Sequence, residues 1–429
     1  MKMQRISRYF WKDLATDRRG GTLTTVALTI PVLLGLTGLG VEAGLWYSEK
    51  RSLQTAADAA ATAGGWERAR GQDLQDITAA AQREAERNGF STAGGGTIVV
   101  TELTHDAAGN PIQAIEVVLT EKQPPLFTAA LVGDNITIRT RAVAKLETTG
   151  TACVLATDPT TSEAVKAWGS ASVNMKGCVI ASNSSSSNAI ALGGGANVTA
   201  ESLWTVGGYT QGGSSALTTA RPPSVNVWPL ENPYANLAIP PAPTGTCKDP
   251  KTSPLQPGRY CGQGPDIDRT VDMLPGLYYL DGVDFKAGNA TNLTCNTCTG
   301  DKGVTIVLTA ADPNKIGDVT VAQAGSRINL RAPVKVTSTD EGIQGMLFFQ
   351  DSRKPQGYMK LAGAPSNTFT GVLYFSTQEV EFVGSSTLGG CTVLVARKVI
   401  LSGNSTLDNS GCQAAGVKPV EIKMPRTIE

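Results

Sequence analysis

From Thr22 to Val41 the chain reads TLTTVALTIPVLLGLTGLGV, 20 positions without a charge. At about 1.5 Å per helical residue this run matches the roughly 30 Å hydrocarbon core of a bilayer, so it predicts a membrane-spanning helix over 22–41. A cleaved signal would have a shorter apolar core, about 7 to 15 residues, with a small-residue site behind it. Here Leu45-Trp46-Tyr47 follows, an aromatic pair suited to the headgroup layer. Pro31 inside the run predicts a kink that the rest of the helix tolerates. Beyond the span, Leu53, Ala56, Ala57, Ala60, Ala61 and Ala63 recur at three- and four-residue steps and mark one helical face, which Gly64-Gly65 is expected to interrupt. A second helix is expected over Asp73 to Asn88, stopped by Gly89. Thr97–Leu103 and Gln113–Leu119 alternate as strands around the turn residues 106–111, Pro124-Pro125 opens a short helix (LFTAALVG), and Ile136–Lys145 alternates again. Residues 42–147 are thus expected to form a small α/β domain.

From about residue 150 the helical period ends, and short apolar runs alternate with clusters of Gly, Ser, Asn and Thr. One phrase recurs, a glycine, small polar residues, then a β-branched residue or leucine: Gly169-Ser170-Ala171-Ser172-Val173, Gly195-Ala196-Asn197-Val198, Gly288-Asn289-Ala290-Thr291, Gly325-Ser326-Arg327-Ile328, Gly384-Ser385-Ser386-Thr387-Leu388 and Gly403-Asn404-Ser405-Thr406-Leu407. A step of roughly 20 residues suits three short strands and their turns, so residues 148–429 are expected to form a right-handed parallel β-helix, whose circuits bury apolar faces only by stacking. A β-sandwich is the alternative; it accounts for strands but not for the recurring corner residues. Between Arg221 and Pro257 ten of 37 residues are proline, which excludes ladder strands and predicts an extended excursion or linker over 221–257. Pro257-Gly258-Arg259-Tyr260 and Pro275-Gly276-Leu277-Tyr278 share a phrase at a step close to one circuit, so the repeat is expected to resume directly after the excursion.

Charge then assigns sides. Lys2, Arg5, Arg8, Lys12, Arg18 and Arg19 precede the span against Asp13 and Asp17, which places residues 1–21 in the cytoplasm as a basic segment and the bulk of the chain outside. Over all 429 residues 37 basic groups balance 37 acidic ones, leaving no field to attract nucleic acid. A single histidine, His105, beside the hairpin turn and far from any cysteine, is not expected to be a metal or catalytic residue. Eight cysteines suit an oxidising compartment. Their spacing suggests neighbour pairs, Cys153 with Cys178, Cys247 with Cys261, Cys295 with Cys298 and Cys391 with Cys412, out of about 105 connectivities. Cys295-Asn296-Thr297-Cys298 lacks the βαβ frame of a redox motif and is expected to be a loop staple.

The run Arg18-Arg19-Gly20-Gly21, the span with Pro-Val-Leu-Leu-Gly-Leu, Val41-Glu42-Ala43-Gly44, Trp46-Tyr47, and Leu53-Gln54-Thr55-Ala56-Ala57-Asp58-Ala59-Ala60-Ala61 resemble the N-terminal module of TadG-like Flp/Tad pilus-assembly proteins over about residues 18–65. The resemblance implies a minor, membrane-anchored protein of the tight-adherence pilus or its secretion apparatus, without an enzymatic role. Prepilins processed after a glycine carry a Glu five residues into the mature helix; after Gly20 and Gly21 the corresponding stretch, residues 24–27, is Thr-Thr-Val-Ala. Polymerisation as a pilin is therefore not expected.

Glu42 has two readings: recognition of a partner helix, or a carboxylate marking the water boundary of the span. Asp266, Asp268, Asp272, Asp281 and Asp284 are the carboxylates that a carbohydrate-cleaving β-helix would draw on, and Trp204, Trp228 and Tyr234 are the aromatics that would stack on sugars. No spacing places those carboxylates on one face, so neither catalytic, cofactor-binding nor metal residues are expected. The expected protein is a single-pass bacterial inner-membrane protein with its bulk periplasmic or extracellular, a structural component of pilus assembly or adhesion. Its expected partners are the membrane, pilus-assembly or minor pilin proteins and surface polysaccharide; the alternative is a tethered carbohydrate-binding or carbohydrate-cleaving β-helix.

Overall fold

A computed structural model describes residues 21–93, 95–129, 135–322, 325–363, 367–384, 386–387 and 390–428. The basic segment 1–21 lies outside them apart from Gly21, as do residues 130–133 of the expected short helix. The chain divides into two compact units, Met1–Glu147 with Met424–Glu429, and Thr148–Lys423. The last six residues, expected to belong to the β domain, belong to the first unit: Ile428 N–H donates to the Val143 carbonyl at 3.0 Å.

In the first unit α1 (Gly21–Ala69) is a single 49-residue helix, long and apolar enough to cross a membrane. Its first half leaves Leu28, Leu34 and Leu36 exposed, whereas Leu53, Ala56, Ala57, Ala60 and Ala61 are buried. Gly64-Gly65 does not break it. A Cβ on Gly64 would lie 3.1 Å from Ile115 and one on Gly65 2.6 Å from Pro425, so these glycines serve close packing. α2 (Leu74–Arg87) starts at Asp73, whose side chain accepts from the Gln75 and Asp76 N–H groups at 3.0 Å. It stops before Gly89, whose φ of +96° suits a residue without Cβ. Both helices pack on three antiparallel strands, β1 (Thr97–His105), β2 (Pro111–Gln123) and β3 (Ile136–Ala156), the hairpin pairing Thr97 with Thr120 and the next ladder Gln123 with Ile136.

In the second unit every described pairing is parallel, which requires a crossover between neighbours where antiparallel strands need only a hairpin. Each circuit visits three ladders in turn. Gly276–Asp281 leads to Phe285–Ala287, then Asn292–Thr294, and the chain returns as Val304–Thr309 beside its starting strand. Circuits are not of equal length: Gly258 meets Tyr278 after a short one, but Ile306 reaches Phe348 only after a much longer one, because loops swell at the corners. The recurring phrase does mark one corner. Asn404 lies beside Ser172, and Ser172 beside Asn197.

The order of the strands differs from a simple continuation. The first ladder runs from Gly258–Cys261 through Gly276–Asp281, Val304–Thr309, Met346–Gln350, residues 372–375 and Thr392–Ser402, and only then to residues 154–156 of β3, Val179–Ser182, Leu203–Thr205 and Ser224–Val225. The chain enters in mid-stack, climbs to one end at Val225, and restarts at the other end at Gly258. The repeat thus resumes after the excursion, but not next to where it stopped.

Residues 226–257 make that journey along the outer face of the first ladder. Trp204 Nε1 donates to the Trp228 carbonyl at 3.0 Å, Leu230 and Asn183 exchange two hydrogen bonds, Asn232 Nδ2 donates to the Tyr374 hydroxyl, and the Tyr234 hydroxyl donates to the Lys418 carbonyl. Leu230 and Tyr234 are buried there with Trp204, Leu277, Val307, Phe349, Tyr374 and Val395. A proline-rich strap is ill suited to ladder pairing, since each proline lacks the N–H that a ladder needs.

Candidate functional site

The cysteines form the four neighbour pairs, with Cα separations of 4.6 to 5.6 Å. Cys153–Cys178 joins adjacent ladder strands, and Cys247–Cys261 fastens the end of the strap to the first strand of the stack. Cys295–Cys298 staples a short loop.

Of the five candidate carboxylates only Asp266 and Asp284 line one cleft, and most are engaged in joining one circuit to the next. Asp268 accepts from the Ala290 N–H at 2.7 Å, Asp272 from Asn296 at 2.8 Å and Asp284 from Asp318 at 2.9 Å, while Asp281 pairs with Arg259. Asp266 is exposed beside the Asp284–Lys286 pair, in a shallow cleft with Gly262 and Gly282. Of the aromatics, Trp204 and Tyr234 are buried between the first ladder and the strap, whereas Trp228 is 48% exposed. Another aromatic escaped sequence reasoning. Trp168 is 52% exposed, its ring so close over Gly193 that a Cβ there would sit 2.0 Å from it, with Lys166 Nζ 4.7 Å from the ring centroid. Its only sequence signal is its place at the head of a corner phrase. His105 is exposed, its Nδ1 3.0 Å from the Thr104 hydroxyl.

Asp351 is a buried carboxylate of the stack, with a side chain 1% exposed. It accepts from the Thr309 hydroxyl at 2.7 Å, the Arg353 N–H at 2.9 Å and the Arg353 guanidinium at 2.6 and 3.0 Å. Burial alone would raise its pKa; the hydrogen bonds, led by those from Arg353, outweigh burial and hold the carboxyl below the ordinary carboxylate range. A depressed pKa contributes stability above the unfolded value of about 3.9 and loses it as the pH falls through the folded value. Arg353→Ala is therefore expected to lower stability at neutral pH, because it leaves the buried Asp351 carboxylate without its cation. In urea denaturation the variant and the parent should converge in acid; a penalty that is the same at both pH values would contradict this account.

Glu42 is engaged within its own unit. It is 1% exposed, and its carboxylate accepts three backbone N–H groups, those of Leu126 (2.5 Å), Phe127 (3.2 Å) and Thr128 (2.7 Å). Three successive amides converging on one carboxylate form a compact anion-binding turn. Gly38, one turn earlier in α1, admits the Phe127 side chain: a Cβ there would lie 3.2 Å from it. Leu126 and Phe127 nonetheless remain 63% and 61% exposed.

No curated protein and no solved structure matches the chain. Residues 20–73, which carry the apolar half of α1, Glu42 and the alanine face, match the model of the Tad family, described as "Putative Flp pilus-assembly TadE/G-like", so the N-terminal module of this chain is similar to that family's.

Proposed function

We propose that the protein is a membrane-anchored, extracytoplasmic structural component of Tad/Flp pilus assembly or of the surface attachment that such pili serve. The observation that carries this reading is the coincidence of the TadE/G-like module with an apolar, exposed half-helix long enough to span a bilayer. The basic residues ahead of the span argue for a cytoplasmic N-terminus, and four disulfides suit an oxidising compartment. In this reading the second unit is a parallel β-helix, supported by its three parallel ladders, and acts as a rigid spacer or adhesive surface. A second reading, favoured by the exposed ring of Trp168, is that this unit binds surface polysaccharide through aromatic stacking.

Removing the gene from its host, followed by counting of surface pili and of attached cells, tests the proposal. Loss of both, restored by the parent gene, supports assembly. Loss of attachment alone, not restored by Trp168→Ala, supports the polysaccharide reading; unchanged pili and attachment would overturn both.

A further inference from the structure

We propose that the Leu126–Phe127 turn is a second membrane contact, seated in the interfacial layer of the bilayer beside the end of α1 and held there by Glu42. The inference rests on the reading of residues 22–41 as a span. Phe127 lies against Gly38, four residues before Glu42, which at about 1.5 Å per residue places its ring about 6 Å toward the apolar side of that carboxylate, the depth of an interfacial apolar group. The surface around it is continuous with the span: Leu34, Leu39, Val41 and Leu45 are 67%, 47%, 55% and 48% exposed, and Leu126 and Phe127 extend the same apolar surface. On the other side of Glu42 come Tyr47, 66% exposed, and then Lys50 and Arg51, the order of a headgroup layer followed by water.

The chemistry at Glu42 fits that position. A non-helical backbone turn at interfacial depth leaves N–H groups that lipid cannot satisfy. The carboxylate satisfies three of them, and the three amides in turn compensate its charge. Two large apolar side chains at the apex of such a turn would be an exposed patch in water, but in a bilayer they are in their own solvent. The partner is thus a lipid surface, and the turn sets how the folded part of the first unit rests on it.

All eight cysteines are in disulfides, so an introduced cysteine is the sole thiol to label. The full chain is reconstituted into phosphatidylethanolamine–phosphatidylglycerol vesicles with a nitrobenzoxadiazole fluorophore on Phe127→Cys, on Leu34→Cys in the span, or on Ala108→Cys at the hairpin turn. Expected are quenching by doxyl lipid at positions 34 and 127, quenching by aqueous iodide at 108 alone, and return of iodide quenching at 127 when Glu42→Ala is added. If 34 is quenched by lipid but 127 by iodide, the inference fails while the span stands. If 34 is not quenched by lipid, the span itself fails. Protection of 127 from both quenchers would mean that protein covers the turn and would overturn the lipid contact. Lipid quenching at 127 that survives Glu42→Ala would remove Glu42 from the account.

Discussion

Leu394→Arg is expected to open the second unit in its middle, with protease sensitivity appearing at once in two segments far apart in sequence. Leu394 is fully buried and lies on the first ladder between Leu373 and Val154. A guanidinium there has no carboxylate to meet, and an unpaired buried charge costs several kcal/mol. In a stack ordered as the chain is, such damage near the C-terminus would loosen the last circuits and spare the first. Here the strand Thr392–Ser402 is the only one among the described residues that joins the circuits running from Gly258 to those running from Ala152 along the first ladder. Limited proteolysis with mass mapping should therefore find new cuts both within 157–190 and within 340–384. Cuts confined to 390–412 would refute the mid-stack seam.

Phe348→Ala is expected to cost about 4 kcal/mol, the middle of the range for a buried aromatic. Phe348 is 1% exposed, with the rings of Phe285, Phe375 and Phe369 centred 5.6, 6.2 and 6.4 Å away. These rings come from three ladders, so the vacated volume has walls held by hydrogen-bonded strands and has little means to collapse. The midpoint of chemical denaturation reports the loss; a penalty under about 1 kcal/mol would mean that the core repacks freely.

The local features were legible because their signals are local. The uncharged apolar run, the alanine face, the Asp73 start and the hairpin all rest on periods of 3.6 or 2, and the corner phrase exposed a repeat through the backbone demands of tight turns. Gly64-Gly65 misled because a helix break and a close approach select the same residue, and only the positions of Ile115 and Pro425 distinguish them. The order of the circuits was hidden for another reason. Val154 pairs with Leu394 because each lies at an edge left open by its own half, and no pattern near either residue records that. Glu42 shows the same limit, since its partners are amides 84 to 86 positions away and backbone amides carry no sequence signature. Trp168 escaped because a lone aromatic beside a glycine looks the same whether its ring is covered or bare.

The mid-stack seam also has a consequence in time. The Thr157 amide and hydroxyl wait for the Ala396 carbonyl, 239 residues later, and at about 5 to 20 residues per second of synthesis that is roughly 10 to 50 s. Throughout that interval the strand 152–156 presents an open edge, the kind of surface on which chains pair wrongly. The far end is settled sooner, since Gly258 finds Tyr278 within a single short circuit. Of the joints in the stack, the one made last is thus at its centre, and a nascent chain halted before Thr392 has two half-stacks and no means of joining them.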